Sequence, residues 1–315
     1  MTATPHISAV VPLFNEAESL RELNAELTRA LEALGPAWEI LYIDDGSRDG
    51  SDRVIAELAA ADARVRGVSL RRNFGKSAGL ATGFRLAQGE WIVTLDADLQ
   101  DDPAELPRLI AKLEEGFDLV SGWKQKRHDP ITKTLPSKLF NAVTAWVSGV
   151  RLHDFNCGFK LYRREVVESI EVYGELHRFM PALAHWRGFR VAEAIVQHRA
   201  RRYGRSKFGA SRFVNGFLDL LAAAFISTAG LKPLHVFGRI GLSFIAVAAA
   251  VAIYFVVLFI GGEPIRVRPL MLFGAGLGLV GVQLILMGLL GEMIAALSAR
   301  AEYPLRARYN LAEDA

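Results

Sequence analysis

The residues best suited to chemistry form two acidic clusters. Asp96, Ala97 and Asp98 follow directly on the apolar run Trp91 to Leu95, so a turn leaving a strand presents two carboxylates near one point. Such a pair suits a hard divalent cation that also takes diphosphate oxygens. Mg²⁺ or Mn²⁺ there would neutralise charge gathering on a departing nucleotide diphosphate without a proton donor. A solvated acidic turn continuing through Asp101 and Asp102 would have the same composition, and the position after a strand favours the metal. The second cluster, Asp44-Asp45-Gly46-Ser47-Arg48-Asp49-Gly50, follows the run Glu39 to Ile43. Carboxylates there can accept hydrogen bonds from an imide or from ribose hydroxyls. Asp-Gly pairs also make tight turns with no ligand at all.

Both clusters need strands to carry them. Strand-like runs at Ile7 to Val11, Glu39 to Ile43, Val65 to Leu70, Trp91 to Leu95 and Asp118 to Ser121 alternate with helical patterns. That alternation predicts a parallel sheet with crossover helices, and ligands of such sheets gather at the carboxyl ends of the strands. The first helix carries Leu20, Leu23, Leu27, Leu31 and Leu34 on one face, with Asn15 and Glu18 as its capping pair. Pro103 opens another, with Leu106, Leu109, Ile110 and Leu113 inward and an end near Gly116. Residues 132 to 150 and 211 to 231 also carry helical apolar faces, among them Val143, Trp146 and Val147. Those faces fit the membrane interface and ordinary core packing equally.

Of the 315 residues, 51% are hydrophobic, and they are spread unevenly. Ile240 to Gly262 and Pro269 to Gly291 each run 23 residues without a charge. As helices these would be about 35 Å long, enough to cross a bilayer core of roughly 30 Å. The connector Glu263 to Arg268 makes them a hairpin with both ends on one side. Lys232, Arg239, Arg300, Arg306 and Arg308 flank that side, against Arg266 and Arg268 in the turn, which favours cytoplasmic ends. The first thirty residues lack the basic start and apolar run of a signal peptide, so the amino end is expected to stay in the cytoplasm. The net charge of +3 gives no ground for nucleic-acid binding. Cys157 is the lone cysteine, which excludes an internal disulfide and a multi-cysteine zinc site.

Two short patterns match and do not fit. Gly276 to Gly281 spells a dinucleotide fingerprint but lies inside an apolar span with no strand before it, where glycines serve close helix contact. Gly75-Lys76-Ser77-Ala78-Gly79 spells a nucleophile elbow, and Ser77, Asp154 and His177 occur in hydrolase order. An elbow follows its strand immediately, whereas Arg71 to Phe74 intervene. The basic run Arg199, Arg201, Arg202, Arg205 and Lys207 lies ahead of the apolar spans, where it could meet a lipid phosphate or anionic headgroups in general.

Taken in order, Val11-Pro12-Leu13-Phe14-Asn15-Glu16, the Asp44 to Gly50 cluster, Arg72-Asn73-Phe74-Gly75-Lys76, Asp96-Ala97-Asp98-Leu99-Gln100 and Cys157-Gly158-Phe159-Lys160-Leu161-Tyr162-Arg163 closely resemble one family. It is the polyprenyl-phosphate glycosyltransferases of glycosyltransferase family 2, and the terminal hairpin is similar to that of bacterial members with two spans. The resemblance implies a GT-A fold, an α/β mostly parallel sheet with flanking helices. It also implies inverting transfer of one sugar from a nucleotide-sugar to undecaprenyl phosphate, with UDP-glucose the first expectation for the donor. By motif it implies Pro12, Asn15, Glu16, Asp44, Asp45, Lys76, Asp96 and Ala97 at the donor and Asp96, Asp98 and Gln100 around Mg²⁺ or Mn²⁺. Asp154 then resembles the family's base, with Asp98 counted beside it as catalytic, and Arg202 and Lys207 resemble residues that meet the acceptor phosphate. Lys124 stands with them, in a place where many relatives have Arg. The Gln-x-x-Arg-Trp pattern of processive synthases is absent, which fits single transfer.

A phosphate monoester is already mostly a dianion at neutral pH, so Asp154 is expected to orient the acceptor more than to deprotonate it. The expected organisation is a cytoplasmic catalytic domain at 1–210, a juxtamembrane amphipathic segment at 211–239, two membrane helices within 240–291 and a cytoplasmic tail at 292–315. That places the protein at the inner membrane, with association into a homo-oligomer left open. Two other classes stay open as well: a membrane-anchored serine hydrolase using Ser77, and a non-catalytic membrane scaffold on a sugar-nucleotide fold.

Overall fold

A computed structural model describes residues 5–35, 37–125, 141–199, 233–264 and 267–298. All five strand positions expected from the sequence form: β1 (Ile7–Leu13), β2 (Trp38–Asp44), β3 (Val65–Ser69), β4 (Trp91–Thr94) and β5 (Leu119–Trp123). Two more follow, β6 (Lys160–Arg163) and β7 (Val191–Ile195). The seven make one sheet in the order β3-β2-β1-β4-β6-β5-β7. β1 pairs in parallel with β2 and β4, β2 with β3, and β5 with β7. β6 runs antiparallel between β4 and β5. Every residue of β1 and β2 is buried, as expected of central parallel strands covered on both faces.

Helices cover the two faces. α1 (Ala17–Ala33), α2 (Ser51–Ala61) and α4 (Leu106–Glu114) bury Leu20, Leu23, Leu27, Leu31, Ile55 and Leu109 against Ile7, Ala9 and Val11. On the other face α3 (Lys76–Leu86), α5 (Arg164–Ser169) and α6 (Met180–Trp186) pack Leu80, Phe84, Val166 and Leu183 against Val10, Leu41 and Ile43. Pro103 opens a short 3₁₀ turn, Pro103–Glu105, that leads into α4, and Asp102 caps it by accepting the Ala104 N–H at 3.0 Å.

Two expectations change. Asn15 and Glu18 do not form the cap of α1, because the Asn15 side chain is spent on the Arg48 amide. The first amides of α1 are met from the next loop: Glu16 N–H donates to Ser51 Oγ at 3.1 Å and Ala17 N–H to Asp49 Oδ2 at 2.9 Å. The second change concerns helical residues 141–148. Their inward stripe is Asn141, Thr144 and Ser148, while Trp146 is 85% exposed. Val143 and Val147 pack partly buried against the core as expected, whereas Trp146 does not, and Asn141 Nδ2 donates to the His153 carbonyl at 2.8 Å. Residues 132 to 140 and 211 to 231 of the amphipathic stretches lie outside the described residues or their helices.

A second compact unit holds two long helices, α7 (Pro233–Ile260) and α8 (Pro269–Ser298). Their mean hydropathies of 2.7 and 2.2 make both long and apolar enough to cross a membrane. Each extends past the span read from the sequence, since neither Arg239 nor Glu292 interrupts the backbone ladder. Small residues set their contact: a Cβ at Gly241 would lie 2.6 Å from the Gly281 carbonyl oxygen, and one at Gly281 2.8 Å from that of Gly241. Gly276 faces open space, so only part of the fingerprint-like pattern serves the helix contact.

Candidate active site

The carboxyl ends of β1 and β2 are laced into one platform. Asn15 adopts φ 57°, a left-handed conformation that Asn tolerates, and its N–H donates to Ser47 Oγ at 2.8 Å. Its side-chain oxygen accepts the Arg48 amide at 2.9 Å. Asp44 is buried and accepts the Ser47 amide at 3.0 Å. Gly46 has φ +73°, and a Cβ there would lie 2.5 Å from the Arg72 carbonyl carbon, so the loop can press against the 72–73 backbone only with glycine. Asp45 is equally buried, and both its oxygens are taken: by Phe74 N–H at 2.7 Å and Gly75 N–H at 2.8 Å. It ties the Arg72 to Lys76 motif to β2. Asp45→Asn therefore leaves one part-buried amide without its acceptor, and a loss of about 1 kcal/mol in chemical unfolding is expected.

The acidic loop after β4 divides its carboxylates among different tasks. Asp96 lines a pocket with Pro12, Lys76, Asn156, Gly158, Lys160, His177 and Arg178. Its carboxylate pairs with the Lys76 ammonium and is 35% exposed. Burial alone would raise its pKa; Lys76 beside it, with Lys124 and Lys160 behind, pulls it down to about 2. Gly158 makes room for it: a Cβ there would lie 2.6 Å from Asp96 Oδ2 and 2.7 Å from its carboxyl carbon. The Thr94 hydroxyl holds that glycine by donating to its carbonyl at 2.8 Å. Lys160 is buried, donates to the Cys157 carbonyl, and has its pKa lowered by burial and by Lys76.

The rest of the loop turns inward. Asp98 is 6% exposed and accepts the Gln100 amide at 3.2 Å, while Ala97 is buried. Leu99 between Asp98 and Gln100 holds φ 60° with its side chain in the core, a strained position. Asp101 is matched by Lys124 at 2.7 Å, and this carboxylate holds the Lys124 pKa above its ordinary value against the cost of burial. Lys124 is thus already committed to a carboxylate. Arg199 is too: it grips both Glu26 oxygens at 2.9 and 2.7 Å and reaches Asp102 at 2.6 Å, so it is withdrawn from the basic run. Arg202 and Lys207 lie outside the described residues.

Among the described residues no three His, Cys, Asp or Glu side chains converge into a metal cage. The donor set fits a cation only if diphosphate oxygens complete the coordination, and Asp96, ionised and open to the pocket, is the group placed to share it. Asp98 and Gln100 are not among the pocket-lining residues. Asp154 is buried and accepts the Asn156 amide at 3.1 Å, which fixes the turn leading to Gly158. Ser77 is 1% exposed, which denies it the open position a nucleophile needs. Its oxygen lies 2.9 Å from His177 Nδ1 and accepts the His177 N–H at 3.2 Å. Cys157 is buried, its thiol pushed up to about 12 by burial, and offers no thiolate.

Residues 8–171 match the family model described as glycosyl transferase family 2, just over half the chain. The chain belongs to glycosyltransferase family 2. A dodecaprenyl-phosphate galacturonate synthase of Rhizobium johnstonii is 37% identical to it, with 92% of this chain and 87% of the relative covered. An undecaprenyl-phosphate 4-deoxy-4-formamido-L-arabinose transferase of Salmonella paratyphi B is also 37% identical, with 91% and 88% covered. Among solved structures, glucosyl-3-phosphoglycerate synthase of Mycobacterium tuberculosis, crystallised with Mn²⁺, UDP-glucose and phosphoglyceric acid, superposes with a TM-score of 0.56. It covers 73% of this chain and 83% of its own at 20% identity, which is a likeness of fold.

This family 2 glycosyltransferase therefore has the α/β GT-A architecture that its motifs implied. Of the residues expected at its site, the fold gathers Asn15, Glu16, Asp44 and Asp45 in one linked pair of loops, and Pro12, Lys76 and Asp96 at the pocket. Thr94, Gly158 and Lys160 join the site only in the fold, and His177, which the sequence offers only beside Ser77 in hydrolase order, lines the same pocket. Gly158 and Lys160 belong to the Cys157 to Arg163 motif, but their relation to Asp96 depends on β6 pairing antiparallel to β4 with Thr94 opposite Lys160.

Proposed function

We propose that this enzyme transfers a single sugar, with inversion, from a nucleotide-sugar donor, UDP-glucose or a close analogue, to a polyprenyl phosphate such as undecaprenyl phosphate. The observation that carries the reading is the Asp96 carboxylate set against Lys76 and Lys160 in the pocket beside the end of β4. Mixed charge of this kind suits a diphosphate that arrives with a cation. The names of the two relatives support a lipid phosphate acceptor. The two apolar helices support anchoring in the inner membrane as a hairpin, with the catalytic domain and both ends on the cytoplasmic side.

In the reaction an acceptor phosphate oxygen forms a bond to the anomeric carbon as the bond from that carbon to the diphosphate breaks. The acceptor is largely a dianion at neutral pH, so no proton need be removed. A bound Mg²⁺ or Mn²⁺ would neutralise charge on the departing diphosphate. Asp96 would share that cation with the diphosphate, with Asp98 and Gln100 supporting its loop, and Lys76 would exchange its carboxylate partner for phosphate oxygens. Asp44 and Asp45 shape the nucleoside end of the donor site. Asp154 acts through the turn it stabilises, and Arg202 and Lys207 meet the acceptor phosphate.

The test incubates the purified full-length protein with a panel of nucleotide sugars and undecaprenyl phosphate, with lipid products read by mass spectrometry. A single-hexose phospholipid product is expected, and EDTA should lower its rate by at least about 10²-fold. No lipid product from any donor would overturn the reading, and an unchanged rate in EDTA would remove the metal from it.

A further inference from the structure

We infer that His177 contacts the transferred sugar, donating a hydrogen bond from Nε2 to one of its hydroxyls, and that Ser77 is the positioning residue that aims it. The inference rests on the reading that this pocket holds a nucleotide-sugar. Ser77 sits in the first turn of α3 with only 1% exposure. Its oxygen accepts the His177 backbone N–H at 3.2 Å and lies 2.9 Å from Nδ1 of the same residue. Having accepted one N–H, the hydroxyl has its own hydrogen to give, and Nδ1 takes it. The opposite tautomer would set two donors on one oxygen and leave a buried O–H without an acceptor among the described residues.

The imidazole is thereby held at its backbone and at Nδ1, and its single ring hydrogen stands on Nε2. No described side chain or carbonyl takes up Nε2, while His177 lines the same pocket as Asp96, Lys76 and Lys160. Cations for phosphate oxygens are already present there in Lys76, Lys160 and Arg178. A neutral N–H of fixed direction adds something different: it rewards a hydroxyl at one position of a sugar ring. A site built to meet a hydroxyl rejects the analogue that lacks it more strongly than an apolar site can. The Ser77 and His177 pairing, which resembled part of a hydrolase in the sequence, thus gains a role in reading the sugar.

The test uses the full-length protein and whichever panel nucleotide-sugar the wild type consumes, with calorimetric binding of the matching nucleoside diphosphate in parallel. His177→Ala should lower kcat/KM for the nucleotide-sugar about tenfold, with diphosphate affinity within about twofold of wild type. His177→Gln, which keeps an N–H donor at similar reach, should recover most of the loss. Ser77→Ala, which frees the ring, should cost about threefold. An equal loss of diphosphate affinity would assign His177 to phosphate and overturn the inference, as would wild-type kcat/KM in His177→Ala. Should His177→Ala not fold, wild-type kcat/KM in Ser77→Ala would overturn it instead. Absence of transfer by the wild type appears before any variant is compared, and marks failure of the functional reading itself.

Discussion

Asp96→Asn is expected to lower sugar transfer about 10³-fold while the protein still folds. The carboxylate is the one acidic group of its loop that lines the pocket, and it faces Lys76 and Lys160 there. An amide has nearly the same shape but no charge, so it can neither share a cation with a diphosphate nor balance those ammonium groups. Stability should move by less than about 1 kcal/mol, because the pair with Lys76 is about one-third exposed and such pairs contribute little. The measurement is single-turnover transfer at saturating donor beside a thermal melt. Wild-type turnover in Asp96→Asn would remove the pocket from the reaction.

The pH dependence has a definite sign. With its pKa lowered from 3.8 to about 2, Asp96 is ionised at any pH above about 4 and loses its charge only as pH falls through the folded value. An acid limb of the rate between pH 5 and 8 must therefore come from another group, the acceptor phosphate being the natural one.

Gly158→Ala is expected to cost about 10²-fold in kcat with a near-wild-type melt. The added methyl would stand 2.6, 2.7 and 2.8 Å from the three carboxyl atoms of Asp96. Those atoms end a short side chain that can swing, so the fold survives while the carboxylate is displaced from its place beside Lys76. Thr94 and the β4 to β6 register hold the glycine, so the backbone cannot retreat instead. If Gly158→Ala keeps wild-type kcat while Asp96→Asn does not, the charge of Asp96 matters and its observed position does not. Paired with Asp96→Asn, the variant separates having the carboxylate from having it in place.

Much of this was legible in the residue order. Alternating apolar runs marked the first five strands, and the two acidic clusters fell where loops leave the carboxyl ends of β2 and β4, although Asp44, Asp45 and Asp98 then turn inward. The two apolar stretches were equally plain, since a helix long enough for a bilayer needs no information beyond its own composition. These are local properties, set by residues within a few turns of each other.

What the residue order did not reveal is which partner each charged group takes. Asp45, in a cluster suited to a nucleotide, also ties down Phe74 and Gly75; Arg199, in the basic run, grips Glu26 and Asp102. Lys124 went to Asp101, and the cap of α1 came from Asp49 and Ser51. Each of these pairs joins segments brought together only by the strand order, Glu26 and Arg199 from near opposite ends of the catalytic domain. The carboxylates, amides and ammonium groups involved are interchangeable in kind, so their spacing along the chain cannot choose among them. The antiparallel insertion of β6 makes the choice at Asp96, because that pairing alone sets Gly158 and Lys160 beside it.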